Sequence, residues 1–351
     1  MSYYGNGMGG NTPYGQYGGF ERYSPEEYER KRAADKSVRV DVFRTSAVVC
    51  CGVCAYVVLS NLYSRLIMHF PALYSLYTGP TVFGAFCDML YSFVCVGLPF
   101  LLVLAVLNGI SPGSVRVDFG KPYKMSNACL LIVAALGICF FGNVVGSILI
   151  NFFASLGMEF YSYREAVSGT DIPNGFGEAA VMVIRTAVIP AIVEEFAFRG
   201  VVLGSLRKFG DGFAIAMSAL LFGLLHGNFT QVPFAIIAGT ALGFVYVLTG
   251  SIWASSTVHF LNNFISVCYS VMIAADRGSS AWLLSALITP SLIVLGVGAL
   301  ILYLLRNKNG LRLRPGKGSG VSGKALVFML SPSFILGAAA LIKNMLDDIV
   351  R

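Results

Sequence analysis

The chain has 351 residues, 56% hydrophobic and only 12% charged, with a mean hydropathy of +0.72 and a formal net charge of +7. Soluble domains run nearer a quarter charged, so a chain this apolar cannot hide its surface in one water-soluble core, and the membrane class follows. The positive balance does not argue for nucleic acid as a partner, because Lys and Arg sit in one tail and in loops between apolar runs, the positive-inside pattern of membrane proteins.

In chain order, residues 1–40 come first as a separate polar region. Met1–Phe20 is rich in Gly, Tyr and Asn and has too little aliphatic content to fold alone. Glu21–Val40 is highly charged, and Ser24, Pro25, Glu26 and Glu27 can open a short surface helix. The region reads as a disordered or weakly helical cytoplasmic tail. With no cleavable signal ahead of it, the first apolar run acts as an anchor.

Residues 41–351 read as one transmembrane helical domain. Apolar runs span 43–68, 81–107, 127–155, 177–206, 212–226, 231–249, 252–274, 282–305 and 325–346. Most approach the roughly 20 residues that cross a bilayer core of about 30 Å. The run at 212–226 is short enough to be tilted or not to cross fully. Pro80, Pro112, Pro122, Pro173, Pro233 and the Pro315–Gly316 pair punctuate the runs. The predicted fold is all-α: a polytopic transmembrane helix bundle of eight or nine spans with an intramembrane cavity.

Loop charge sets the orientation. Arg22, Arg30, Lys31, Arg32, Lys36 and Arg39 precede the first run, and Arg116, Lys121 and Lys124 follow the second. Arg207 and Lys208 follow the fourth, and Arg306, Lys308, Arg312, Arg314 and Lys317 follow the eighth. The loop at 156–176 is acidic, with Glu159, Glu165 and Asp171 against Arg164. This alternation predicts a cytoplasmic N-terminus and favours nine spans. The eight cysteines all fall in or beside apolar runs. The Cys51–Cys54 CxxC has no second pair to complete a zinc site, so they read as small hydrophobes at helix interfaces.

Ionisable groups deep in hydrocarbon are expensive, so each is a functional candidate. Glu194 and Glu195 are adjacent inside an apolar run, with Arg199 following. Glu195 and Arg199 are four apart on one face, in the order that favours an ion pair. Glu194 points about 100° away and is left to face a cavity. Only three histidines occur: His69 at the end of the first run, His226, and His259. Phe222 shares a face with His226, and Asn263 shares one with His259. At 1.5 Å per residue, Glu194, His226, His259 and Asn263 lie roughly 18, 22, 10 and 16 Å from the cytoplasmic ends, so they can converge near mid-membrane.

Such a cluster can activate water. Glu194 takes the proton and passes it to the leaving amine. His259 and Asn263 donate to the developing oxyanion, and His226 holds the water. Glu194, His226 and His259 also suit a zinc ion with an open position, although no HExxH occurs. The residues leave metal-assisted and metal-free water activation both open.

Three motifs, Glu194-Glu195-x-x-x-Arg199, Phe222-x-x-x-His226 and His259-x-x-x-Asn263, resemble those of the CPBP family. That family groups type II CAAX prenyl endopeptidases with bacteriocin-processing and self-immunity membrane proteins, also called Abi. The resemblance covers roughly residues 175–275, which makes that stretch the catalytic core. It implies an intramembrane (metallo)endopeptidase with Glu194 activating water. Glu195, Arg199 and Phe222 support it, and His226, His259 and Asn263 surround the water and the scissile carbonyl. Zinc is the cofactor some members are assigned, and a metal-free glutamate mechanism is also argued for the group. The implied partners are a peptide or lipidated-protein substrate and membrane lipids, and the implied location is the plasma membrane of a bacterium.

Two other classes compete. A non-catalytic immunity or scaffold protein would bind a partner through the same cleft. A proton-coupled transporter would use Glu194 and the histidines as a relay, but it predicts an internal repeat that the sequence lacks. Asp88 and Asn143 read as interhelical hydrogen-bond formers, Phe83, Phe86, Phe93 and Phe100 as lipid-facing or packing residues, and Gly142–Gly146 as a helix contact.

Overall fold

A computed structural model describes residues 24–79, 82–160, 173, 175–276, 279–308, 310–318 and 320–350. The Gly/Tyr-rich stretch Met1–Phe20 and Arg164, Glu165 and Asp171 of the acidic loop lie outside the described residues. Eleven helices make up almost all of the rest: α1 (Pro25–His69), α2 (Pro71–Thr78), α3 (Val82–Ile110), α4 (Met125–Ser155), α5 (Phe176–Phe209), α6 (Asp211–Leu225), α7 (Val232–Thr249), α8 (Ile252–Asp276), α9 (Ser279–Arg306), α10 (Val321–Met329) and α11 (Pro332–Asp347). The all-α membrane-type bundle expected from the sequence is what forms.

Helix α1 starts where the capping chemistry dictates. Ser24 accepts from the Glu27 backbone N–H while the Glu27 carboxylate accepts from the Ser24 N–H, and Pro25 takes the first helical position. The helix then runs 45 residues, without a break at residue 40. That is about 67 Å, twice the hydrocarbon thickness, so its charged first half extends beyond its apolar second half.

The connections show how often the chain traverses the bundle. At one end, Tyr123 N–H donates to Thr249 O, Ile252 N–H to Asp118 O and Asp211 N–H to Arg314 O. Asn127 meets Asn307, and Lys324 Nζ donates to Phe209 O at 2.8 Å. Three basic loops, 111–124, 207–210 and 307–320, therefore gather at one end. At the other end, Phe229 stacks on Phe160 and meets Phe153, and Glu159–Phe160 pairs antiparallel with Ile349–Val350. Among the described residues, α4, α6, α7 and the α10–α11 pair each run from one group of contacts to the other.

Length and composition single out fewer spans than the sequence predicts. Six helices among the described residues are long and apolar enough to cross, or seven if α10 and α11, bent by 76°, count as one span. The shortfall against eight or nine falls on two elements. Helix α6 has 15 residues, about 22 Å. Helix α8 has 25 residues, but serines, His259, Asn262 and Asn263 dilute its apolar character. The bend before α11 follows from Ser331, which caps the Phe334 N–H, and from Pro332 at the helix start.

Helix contacts depend on small residues, as expected where lipid is as apolar as leucine. A Cβ on Gly137 of α4 would lie 2.7 Å from Gly296 Cα and 2.8 Å from Leu292 O of α9. Gly142 does mark a helix contact, but with the side chains of Ile237 and Phe234 on α7. Asp88 of α3 pairs with Arg185 of α5 at 2.8 Å and accepts from Tyr77, bearing out its interhelical role. Of the phenylalanines, Phe86 and Phe93 are exposed while Phe100 is buried against Phe198. Replacing Gly296 with Val should cost about 1–3 kcal/mol by forcing α4 and α9 apart. A lower thermal-unfolding midpoint in detergent micelles is the expected result, whereas Gly298→Val, at a position with no atom within 4 Å, should leave it unchanged.

Candidate active site

Helix α5 carries Glu194, Glu195 and Arg199, α6 ends with Phe222 and His226, and α8 carries His259, Asn262 and Asn263. The structure brings all of them together, while His69 packs against Phe70 at the far end of α1.

Glu195 and Arg199 are the innermost members. Their side chains are 0% and 1% exposed, with Arg199 Nη1 3.0 Å from Glu195 Oε1. Arg199 Nη2 donates to the Gly239 carbonyl of α7 at 3.2 Å, and its guanidinium carbon lies 4.5 Å from the Phe222 ring centre. Gly239 makes this approach possible, since a Cβ there would meet Ala219 Cα at 3.1 Å. Arg199 Nη1, like Glu195 Oε2 and Arg199 Nε, makes no hydrogen bond, so charge attraction carries much of this contact.

Glu195 also orients His259. Beside a guanidinium that cannot lose its proton, Glu195 is the carboxylate and accepts from His259 Nδ1 at 3.0 Å. That leaves His259 Nε2 turned to Glu194, 3.8 Å from its Oε2. The gap is too long for a direct hydrogen bond. Glu194 is 25% exposed, in contrast to its neighbour.

His226 follows the last residue of α6, its N–H bonded to Gly223 O. Its Nδ1 lies 2.8 Å from the Phe222 carbonyl, which can only accept, so Nδ1 bears the proton and Nε2 is an acceptor. The Phe222 ring presents edge contacts to both imidazoles, at 4.9 Å to His226 and 5.9 Å to His259. Phe222 is thus the wall shared by Arg199 and both histidines.

Asn263 is held by a backbone irregularity. Pro190 interrupts α5 and has no N–H, so the carbonyl four residues earlier, that of Thr186, lacks its helical donor. Asn263 Nδ2 donates to it at 3.1 Å, which leaves one amide hydrogen over. Asn262 Nδ2 then donates to Asn263 Oδ1 at 3.2 Å. The i, i+4 spacing from His259 marks Asn263 and not Asn262, and the signal for Pro190 is a proline within an otherwise apolar helix.

A cavity of about 230 Å³ opens among these groups. Glu194, His226, His259, Asn262 and Asn263 supply its polar wall, and Phe234, Ala238 and Leu242 of α7 its apolar one. From Gln231 at the α6–α7 turn to Leu242, it follows α7 for about 16 Å. Among the described residues, no three of His, Cys, Asp and Glu are gathered as metal ligands would be. Glu194, His226 and His259, the set expected for zinc, line the cavity without closing into such a group.

Residues 176–265 match the Rce1-like family, described as type II CAAX prenyl endopeptidase Rce1-like. The chain is 24% identical over 168 residues to the "Putative membrane peptidase YdiL" of Bacillus subtilis (strain 168), covering 46% of this chain and 64% of that protein. It is 21% identical over 178 residues to the "Membrane-embedded CAAX protease MroQ" of Staphylococcus aureus (strain USA300), covering 49% of this chain and 69% of that protein. The chain thus spans under two thirds of the length of the first relative. No solved structure gives a significant match. Every residue of the polar cluster falls within the matched segment: residues 176–265 match the model of the family that the three motifs resemble, in an integral membrane protein.

Proposed function

We propose that this protein is an intramembrane endopeptidase, cutting a peptide bond of a membrane-associated or lipidated peptide by glutamate-activated water. The observation that carries the reading is the partly exposed Glu194 carboxylate, 3.8 Å from His259 Nε2 on the wall of a cavity. Glu194 and His226 Nε2 are both acceptors, so a water between them donates to each. Transfer of one proton to Glu194 leaves hydroxide to attack the scissile carbonyl carbon. The remaining Asn263 N–H receives the oxyanion, joined by His259 Nε2 when that nitrogen carries a proton, its other nitrogen held by Glu195. The carbon–nitrogen bond then breaks and Glu194 returns its proton to the leaving amine.

The domain match supports peptide chemistry, and the names of the relatives support a CAAX-like or other membrane-tethered substrate. The gathering of the basic loops supports a cytoplasmic N-terminus. A bacterial plasma membrane is the setting that agrees with the two relatives.

Glu194→Ala should abolish cleavage while the protein remains folded and inserted, read by comparing membrane peptidomes of cells expressing each form. Identical peptide profiles would favour the non-catalytic scaffold. Glu195→Ala behaves differently, because it leaves a buried guanidinium unpaired: a loss of about 3–5 kcal/mol and poor recovery of folded protein are expected. Activity should survive dialysis against a chelator. Stoichiometric metal in the purified protein, with activity lost on its removal, would require a metal step.

A further inference from the structure

The hydrolysis proposed above leaves one wall residue of the cavity without a task. Asn262 is 6% exposed, lines the cavity beside Glu194 and His259, and its Oδ1 is buried without a hydrogen-bond partner. Its orientation is not arbitrary. The Thr186 carbonyl can only accept, so the Asn263 amide must present Nδ2 to it. Asn263 Oδ1 then faces the other way and accepts from Asn262 Nδ2. Asn262 Oδ1 is left over. Reversing either amide would set oxygen against oxygen. The missing N–H of Pro190 therefore dictates, two side chains away, that a buried acceptor on a residue lining the cavity is left without a partner.

Glu194 and His226 Nε2 are acceptors that the hydrolytic water satisfies, and Asn263 keeps one spare N–H for the oxyanion. Asn262 Oδ1 is the acceptor without a partner, which suits a ligand that brings a donor. A peptide backbone offers an N–H at each residue other than proline, whereas an ester or a hydrocarbon chain offers none.

We propose that Asn262 is a substrate-binding residue, its Oδ1 accepting a backbone N–H of the peptide next to the scissile bond. This rests on the endopeptidase reading and adds to it a requirement for an amide flanking the cut.

The test uses a quenched-fluorescent peptide taken from the wild type's own cleavage products, with the full chain in liposomes. Single amide-to-ester replacements are made within two residues on either side of the cut, removing one N–H at a time. At one position the wild type should lose about 3–10-fold in kcat/KM, carried by KM, as for one neutral hydrogen bond. Asn262→Ala should show that same loss with the all-amide peptide and no further loss with that ester. Pro190→Ala, which restores a donor to Thr186, should weaken cleavage of the all-amide peptide and shrink the ester effect at the same position. Should Asn262→Ala fail to fold in a thermal melt, Asn262→Ser, which also lacks Oδ1, takes its place with the same expectation. An unchanged kcat/KM in the variant, or ester and variant losses that simply multiply, overturns the proposal. Glu194→Ala runs alongside: no cutting by the wild type above that control overturns the endopeptidase reading and this one together, whereas Glu194-dependent cutting indifferent to Asn262 overturns this one alone.

Discussion

The buried contact of Glu195 with Arg199 is the constraint around which the membrane core is arranged. Two charges with 0% and 1% exposure have lost their water, and one partner does not make up that loss. Glu195 therefore takes a second contact from His259 on α8, and Arg199 takes the Gly239 carbonyl of α7 and the Phe222 face of α6. Three helices are thus held to α5 by one ion pair. Apolar burial cannot do this within lipid, where a leucine gains little by moving from hydrocarbon to protein. Polar contacts fix which faces meet, and close backbone approach at Gly223 and Gly239 lets them meet. A Cβ on Gly223 would run into the Ile236 side chain, so α6 reaches α7 only because that atom is missing.

The adjacency of Glu194 and Glu195 follows from the same constraint. Neighbours on a helix diverge by about 100°, so two consecutive carboxylates cannot both enter one buried pair. One is committed to Arg199 and His259, and the other is turned to the cavity at 25% exposure. Spaced four apart, both would share a face and compete for the same guanidinium. His259 joins the two, bonded to Glu195 through Nδ1 and turned to Glu194 through Nε2. A structural carboxylate thus sets the geometry of the ring beside the reactive one.

Much of this was legible in the sequence, because a charge in an apolar helix stands out and an i, i+4 spacing defines a face. Glu194, Glu195, Arg199, Phe222, His226, His259 and Asn263 were all named on those grounds, and the structure gathers them. Span counting was less secure, since length and composition judge each helix alone. Helix α8 falls short as a span because it carries the site's own polar residues, and α6 because it is only 15 residues long. Pairings between distant glycines were not legible. The GxxxG at 142–146 is a local pattern, yet a close backbone contact between α4 and α9 joins Gly137 to Gly296, which no local pattern announces. Nor does spacing reveal that Asn262 is drawn in by its neighbour.

Helix α5 itself is irregular on both sides of the two glutamates. A π-helical segment, Ile184–Val188, precedes them and another, Phe196–Leu203, follows, leaving only Ile189–Glu195 as regular α-helix between. The first is marked by an i→i−5 bond from Ile189 N–H to Ile184 O, next to the residue that cannot donate. The second brings an equivalent bond from Gly204 N–H to Arg199 O. Each wide turn shifts the faces that follow it relative to an unbroken α-helix, and such turns collect at functional sites. In α5 the first wide turn and Pro190 together leave a carbonyl that recruits Asn263 from α8, and the second contains Arg199. The departures from regularity are therefore confined to where other helices must be met, and the stretch bearing Glu194 stays regular because its carboxylate has to face one direction, into the cavity.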